Sequence, residues 1–272
     1  MTWVRVLTAI IVAPPVLAAV FLLSHSLFAL MWALIMLLGA WEWSRLAGVE
    51  YRRMRTIFVS VVAGSLAFTW FLPPQLHVMV LVLGVAWWGV ALGLVIGFPQ
   101  SLDSWNGPWR KLACGWMVLI PAWTAMVALK RHPDADALLL LLLLLIWGAD
   151  VGAYFAGRKF GRRKLAPHVS PGKSWEGVMG GMALGLVVTV IVGLYKGFHG
   201  AEVWMTMLLT CVVTMAASVL GDLFESVLKR MGGHKDSGRI LPGHGGVMDR
   251  IDSLTAAAPV FALCVIGGAW LV

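Results

Sequence analysis

The sequence predicts an all-α, polytopic integral membrane protein with about nine transmembrane helices and a cytoplasmic N-terminus. Three observations predict it. Of the 272 residues, 60% are hydrophobic and only 12% are charged, with a mean hydropathy of +0.86, whereas a soluble domain carries roughly twice that charge. The apolar residues fall in runs of roughly 18–25, enough to cross a ~30 Å hydrocarbon core as helices. The basic residues gather in alternate connections between those runs, as a positive-inside chain requires. There is no ten-residue alternation of the outer-membrane barrel kind, and no polar stretch is long enough for a soluble domain.

In order, the runs place helices at 6–24, 27–47, 56–73, 77–98, 111–129, 137–157, 178–198, 203–227 and 252–271. The first follows Arg5 and resembles a signal peptide, but it continues past Pro14 and Pro15 without a small-residue cleavage pattern and reads as a retained span. With the N-terminus inside, the inner connections hold Arg5; Arg45, Arg52, Arg53 and Arg55; Arg110 and Lys111; Arg158, Lys159, Arg162, Arg163, Lys164 and Lys173; and Lys229, Arg230, Lys235, Arg239 and Arg250. That is 18 of the 21 Lys and Arg; Lys130, Arg131 and Lys196 fall outside. The net charge of +8 then reflects loops facing anionic headgroups, not a nucleic-acid partner. Tryptophans near the span ends fit an interfacial belt. The three cysteines all lie in apolar runs without metal-ligand spacing and read as small buried hydrophobes. Residues 1–136 read as membrane spans with a lipid and packing role, and 137–272 as a catalytic membrane region with two basic cytoplasmic loops.

The acidic residues are unevenly placed. Asp150 ends the sixth span, Asp222 and Glu225 end the eighth, and Asp249 and Asp252 begin the ninth. Three helices thus bring carboxylates to one interface. Asp222 and Glu225 are three apart, as are Asp249 and Asp252, so each pair can share a helix face. Carboxylates so close repel unless a cation lies between them, and hard oxygen ligands suit Mg²⁺, which borrows phosphate oxygens to complete its shell. Asp222, Asp249, Asp252, Asp150 and Glu225 are therefore the candidate metal ligands, with hydroxyls of Ser218, Ser226 and Ser253 nearby. The alternative for any one acid is a salt bridge to Lys229, Arg230 or Arg250. A second cation such as K⁺ is compatible with the set.

Two loops accompany these acids. In 229–252, the Pro242–Gly246 turn offers backbone N–H groups at Gly245 and Gly246 to a phosphate, and His244 could donate to a phosphate oxygen. In 158–177, six basic residues and the Ser170-Pro-Gly-Lys173-Ser turn could hold a polyphosphate or a lipid headgroup; the spacing is not that of a Walker A loop. A transporter is the rival from a different class, but its acids belong near the midplane.

These residues carry a resemblance. Ser226-Val-Leu-Lys229-Arg230, Lys235-Asp236, Pro242-Gly-His244-Gly-Gly and Asp249-Arg250-Ile-Asp252 resemble the signature of the phosphatidate cytidylyltransferase (CDP-diacylglycerol synthase) family. Asp150-Val-Gly-Ala-Tyr154, Gly157-Arg158, Gly161-Arg162, Ser170–Gly177 and Gly221-Asp222 are similar to its other cytoplasmic elements, so the likeness is specific from about 145 to 260. Gly172 stands where many members carry a second lysine, and Ser174 where threonine is usual; the turn and a hydroxyl are kept. The resemblance implies transfer of CMP from CTP to phosphatidic acid, with release of pyrophosphate, at the inner face of the cytoplasmic membrane. It implies Mg²⁺ held by Asp222 and Asp249 with support from Asp252, Asp150 or Glu225. Lys229, Arg230, Lys235, Arg239 and Arg250 would brace the triphosphate, Lys173, Arg158 and Ser170 the lipid phosphate or nucleotide, and His244 would aid electrostatically. The expected partners are phosphatidic acid, CTP and membrane lipids, with a homodimer possible and no nucleic acid. A CTP-dependent polyprenol or lipid kinase is the nearest rival enzyme.

Overall fold

The computed structural model of the protein describes residues 13–238 and 245–268. Its helices are α1 (Ala13–Leu22), α2 (His25–Leu46), α3 (Arg52–Trp70), α4 (Pro74–Ile96), the single turn α5 (Leu102–Trp105), α6 (Pro108–Lys130), α7 (Ala135–Phe160), α8 (Trp175–Tyr195), α9 (Ala201–Met231) and α10 (Met248–Gly267). All nine expected spans correspond to helices, the first and the ninth only over their described parts. Seven of them, α2, α4 and α6–α10, are long and apolar enough to cross a membrane. Together with the comparisons below, this makes the chain a multi-pass membrane protein. The helix α3 opens with Arg52, Arg53 and Arg55, which lowers its hydropathy without shortening it.

The starts follow local chemistry. Pro74 and Pro108 occupy the first turns of α4 and α6, where the missing N–H costs nothing. Ser24 caps α2, and Ser174 caps α8 by accepting from the Gly177 N–H at 3.2 Å. Pro121 and Pro259 lie inside α6 and α10, where neighbouring helices pack against them. A Cβ at Gly84 would collide with the Pro121 ring, so α4 can close on α6 only because residue 84 is glycine. The core centres on α6 and α10: α6 packs against α2, α4 and α10, while α10 also packs on α9. The α7–α8 pair is the tightest in the molecule. A Cβ at Gly152 would lie 2.5 Å from the Gly180 carbonyl, and one at Gly181 would lie 2.5 Å from the Ala149 carbonyl. Small residues let two backbones meet in the apolar phase.

The segment 158–177, expected as a loop, contains a short hairpin. β1 (Lys164–Ala166) pairs antiparallel with β2 (Ser170–Ser174), with Lys164 opposite Ser174 and Ala166 opposite Ser170. Glu176 anchors the hairpin to α8 by accepting the Arg162 and Arg163 backbone N–H groups at 3.1 and 3.2 Å.

The two ends of the bundle separate as the charge asymmetry predicts. At one end Arg45 reaches the Asp236 carbonyl, Arg230 reaches the Val169 carbonyl, and Lys173 pairs with Asp222. At the other, Lys130 meets Asp136 and the Val20 carbonyl, Arg131 meets His25, and Lys196 meets Asp134 at 2.9 Å. The hydrogen bond from Lys196 holds the Asp134 carboxyl below the usual carboxylate range.

Candidate active site

At the basic end, α7, the hairpin, α8 and α9 enclose a cavity of about 590 Å³. Its polar lining comes from Asp150 on α7, Ser170 and Lys173 on the hairpin, and Asp222 on α9; Met182, Met215 and Val219 add apolar surface. Asp222 Oδ2 is ion-paired with Lys173, and Oδ1 accepts a long 3.4 Å hydrogen bond from Ser226. Asp150 lines the same cavity as Asp222 and Lys173. Gly157, Gly177 and Gly181 line the same space, so the close α7–α8 packing leaves room there for a ligand. Tyr154 also lines the cavity, and its hydroxyl accepts from Arg158 Nη1 at 3.1 Å. Arg158 itself is exposed at the rim.

Beside the cavity lies a second cluster. Lys229 Nζ is 2.5 Å from Glu225 Oε2 and 2.8 Å from Asp249 Oδ1. Asp249 Oδ2 accepts from the Gly246 N–H at 2.8 Å, and from both the N–H and the hydroxyl of Ser237 at 2.9 Å. A single carboxylate on the first turn of α10 therefore gathers donors from α9 and from both flanks of the loop. Gly245 has φ +81° and Gly246 follows it, so the turn brings an N–H onto Asp249 in a backbone shape that only glycine adopts without strain. Asp252, three residues on, accepts the Ser253 N–H at 2.7 Å. A Cβ at Gly221 would strike the Asp252 carbonyl, so α9 and α10 meet closely between the two clusters.

The structure thus brings Asp150, Asp222, Lys173 and Ser170 together in one cavity. It joins Glu225, Lys229, Asp249 and Gly246 in a neighbouring network, with Asp252 between. Arg230 is turned to the Val169 carbonyl that precedes β2, where it ties α9 to the hairpin. Lys235 and Arg250 are exposed on and beside the loop. Arg239 and His244 lie outside the described residues. Among the described residues no group of three His, Cys, Asp or Glu side chains is placed to hold a metal ion.

Comparison with known proteins decides the family. A profile described as the cytidylyltransferase family matches residues 3–266. The chain belongs to this family. It is 48% identical over 266 residues to the phosphatidate cytidylyltransferase of Pseudomonas aeruginosa, covering 98% of this chain and 97% of the relative. It is 42% identical over 278 residues to the enzyme of that name from Haemophilus influenzae, covering 95% and 96%. A relative of the same name from Staphylococcus epidermidis is 42% identical over 128 residues, 47% of this chain and 48% of its own.

Two features of this cytidylyltransferase-family chain escaped the sequence reading. The carboxylate of Glu42, on α2, is buried against Ser237, Gly238, Gly246 and Met248, and the Ser237 hydroxyl lies between it and Asp249. A signal existed for the first: Glu42 is a charged residue inside an otherwise apolar run, an expensive placement that calls for a partner. No local pattern singled out Ser237.

Proposed function

We propose that the protein is an enzyme that transfers CMP from CTP to phosphatidic acid, giving CDP-diacylglycerol and pyrophosphate, as the names of its relatives indicate. The observation that carries the reading is a single cavity lined both by the Lys173–Asp222 pair with Asp150 and by methionine and valine side chains. A lipid whose phosphate must meet a nucleotide needs both surfaces within one molecule's length.

Phosphatidic acid supplies its own anionic nucleophile, so the chain need not provide a general base. A phosphate oxygen attacks the α-phosphorus of CTP; the new P–O bond forms as the bond to the bridging β-phosphate oxygen breaks, and pyrophosphate leaves with that electron pair. Lys173, on a hairpin fixed at both ends, presents a cation to the incoming phosphates, and the Ser170 hydroxyl lines the same wall. Glu225, Lys229 and Asp249 hold the loop whose exposed Lys235, with Arg250 beside it, faces the aqueous side from which the triphosphate comes. Positioning and charge neutralisation are the main demands of phosphoryl chemistry.

The donor set of the cavity fits a hard divalent cation. Asp150 and Asp222 are oxygen ligands from two helices, and a site with two carboxylates leaves positions for phosphate oxygens and water, as Mg²⁺ prefers. These two would hold the ion, with Asp252 adding negative charge nearby, and when bound it would neutralise the oxygens of the transferring phosphorus. Asp249, whose oxygens are taken by Lys229, Ser237 and Gly246, serves to order the loop. The concentration of 18 of 21 Lys and Arg on the connections at this end supports a site facing the cytoplasm from a cytoplasmic membrane.

The test is product analysis of purified protein with phosphatidic acid, Mg²⁺ and CTP labelled in the α- or the γ-phosphate. Entry of α label alone into lipid is expected. Entry of γ label would assign a CTP-dependent lipid kinase instead.

A further inference from the structure

The acidic side chain that this chemistry leaves unused is Glu42. It lies in the apolar first half of the chain and is 2% exposed. Its Oε2 accepts the N–H of Met248, the first residue of α10, at 2.9 Å. Ser237 Oγ stands 3.2 Å from the same oxygen and 2.9 Å from Asp249 Oδ2, and it receives the Asp249 N–H at 3.3 Å. Gly238 and Gly246 press against the Glu42 carboxylate so closely that a Cβ on either would collide with its oxygens. Three residues along α2, Arg45 Nη2 donates to the Asp236 carbonyl at 3.1 Å. Arg55 backs this face of α2 by donating to the Trp41 carbonyl at 2.8 Å and to the Ser44 hydroxyl at 3.1 Å.

Plain adhesion between a helix and a loop needs no buried charge, and a buried carboxylate is costly unless its acceptors are used. Here Oε1 is buried with no hydrogen-bond partner among the described residues, while Oε2 is used on specific groups. One is an N–H at the start of α10, which has no intrahelical partner, where the helix dipole also favours an anion. The other is the Ser237 hydroxyl, 3.2 Å away, whose single proton is shared with the nearer Asp249 Oδ2. We propose that Glu42 is a positioning residue for CMP transfer: through Met248 and Ser237 it fixes the segments 236–238 and 245–248 so that Asp249 and Lys229 stay aligned beside the cavity. The inference rests on the reaction proposed above, and it gives α2 a role beyond lipid contact and packing.

The experiment compares wild type, Glu42→Ala, Glu42→Gln and Gly238→Ala as purified full-length protein, by steady-state kinetics and by amide hydrogen exchange without substrates. E42A is expected to lower kcat by about thirtyfold or more while KM for phosphatidic acid stays within about twofold, because the cavity wall on α7–α9 is untouched. Exchange at Ser237, Gly246 and Met248 should speed up by about tenfold or more, with α7 and α8 unchanged. E42Q, whose amide oxygen can still accept the Met248 N–H, should recover kcat to within about fivefold of wild type. G238A, which pushes the carboxylate from the loop side, should reproduce E42A; if E42A cannot be obtained folded, G238A and E42Q carry the comparison. Wild-type kcat with unchanged loop exchange in E42A would overturn the proposal. So would activity loss accompanied by equally faster exchange throughout α7 and α8, which marks general unfolding. If wild type makes no CDP-diacylglycerol, the functional reading falls, and the exchange data still judge the loop.

Discussion

Lys229 Nζ lies 2.8 Å from Asp249 Oδ1, so the last turns of α9 are tied by charge to the first turn of α10 across a loop of mixed sequence. The same ammonium is 2.5 Å from Glu225, whose side chain is 2% exposed. One cation therefore compensates two carboxylates.

Removing that cation should be expensive. Lys229→Met leaves two buried carboxylates uncompensated and is expected to cost about 3 kcal/mol or more, as broken buried pairs do. Thermal unfolding in detergent measures it. The double variant Lys229→Met with Glu225→Gln should regain part of that loss, because one of the stranded charges is gone. An equal loss in both variants would show that the charges are not what binds α9 to α10.

Lys173 acts at the other cluster. Lys173→Ala is expected to reduce kcat/KM by about a hundredfold, the scale of removing one charge-assisted contact from a phosphate site. Thermal stability should change little, since the hairpin is also fixed by Glu176 and by its own register. Kinetics and melting of the same preparation separate the two effects.

The close approach of α7 and α8 yields a prediction about packing. Gly152→Ala puts a methyl group 2.5 Å from the Gly180 carbonyl and 2.9 Å from the Gly181 Cα, both backbone atoms that cannot step aside. A loss of about 1–3 kcal/mol is expected, read as a lower unfolding midpoint. Gly172→Ala, with open space at its Cβ, is the control and should leave that midpoint in place.

Metal removal tests the carboxylate pair. Chelation by EDTA should abolish product formation, and Mg²⁺ should restore it. Asp150→Asn should raise the Mg²⁺ concentration for half-maximal rate by about tenfold or more, the scale of losing a ligand's charge at such a site. An unchanged Mg²⁺ dependence would remove Asp150 from the ion's shell.

Much of this architecture was legible in the sequence because hydropathy reports span length directly. The run at 111–129 became α6, and the basic connections gathered at one end. The convergence of Asp150 and Asp222 was legible for the same reason: span ends fix depth. What depth cannot fix is pairing. Nothing local distinguished Asp222, which meets Lys173 from a hairpin, from Asp249, which meets Lys229 and the loop. The hairpin itself was read as a turn because β1 and β2 span only three and five residues, too short for alternation to register. Glu42 was missed because its partners lie about two hundred residues away in the chain; only folding brings α2 to that loop.

The most direct test of the central claim is the rate of CDP-diacylglycerol formation by Asp222→Asn, measured with purified protein whose unfolding midpoint matches wild type. If Asp222 and Lys173 form the reacting centre, the rate falls by about a thousandfold or more. A rate within about tenfold of wild type would place the chemistry elsewhere in the molecule.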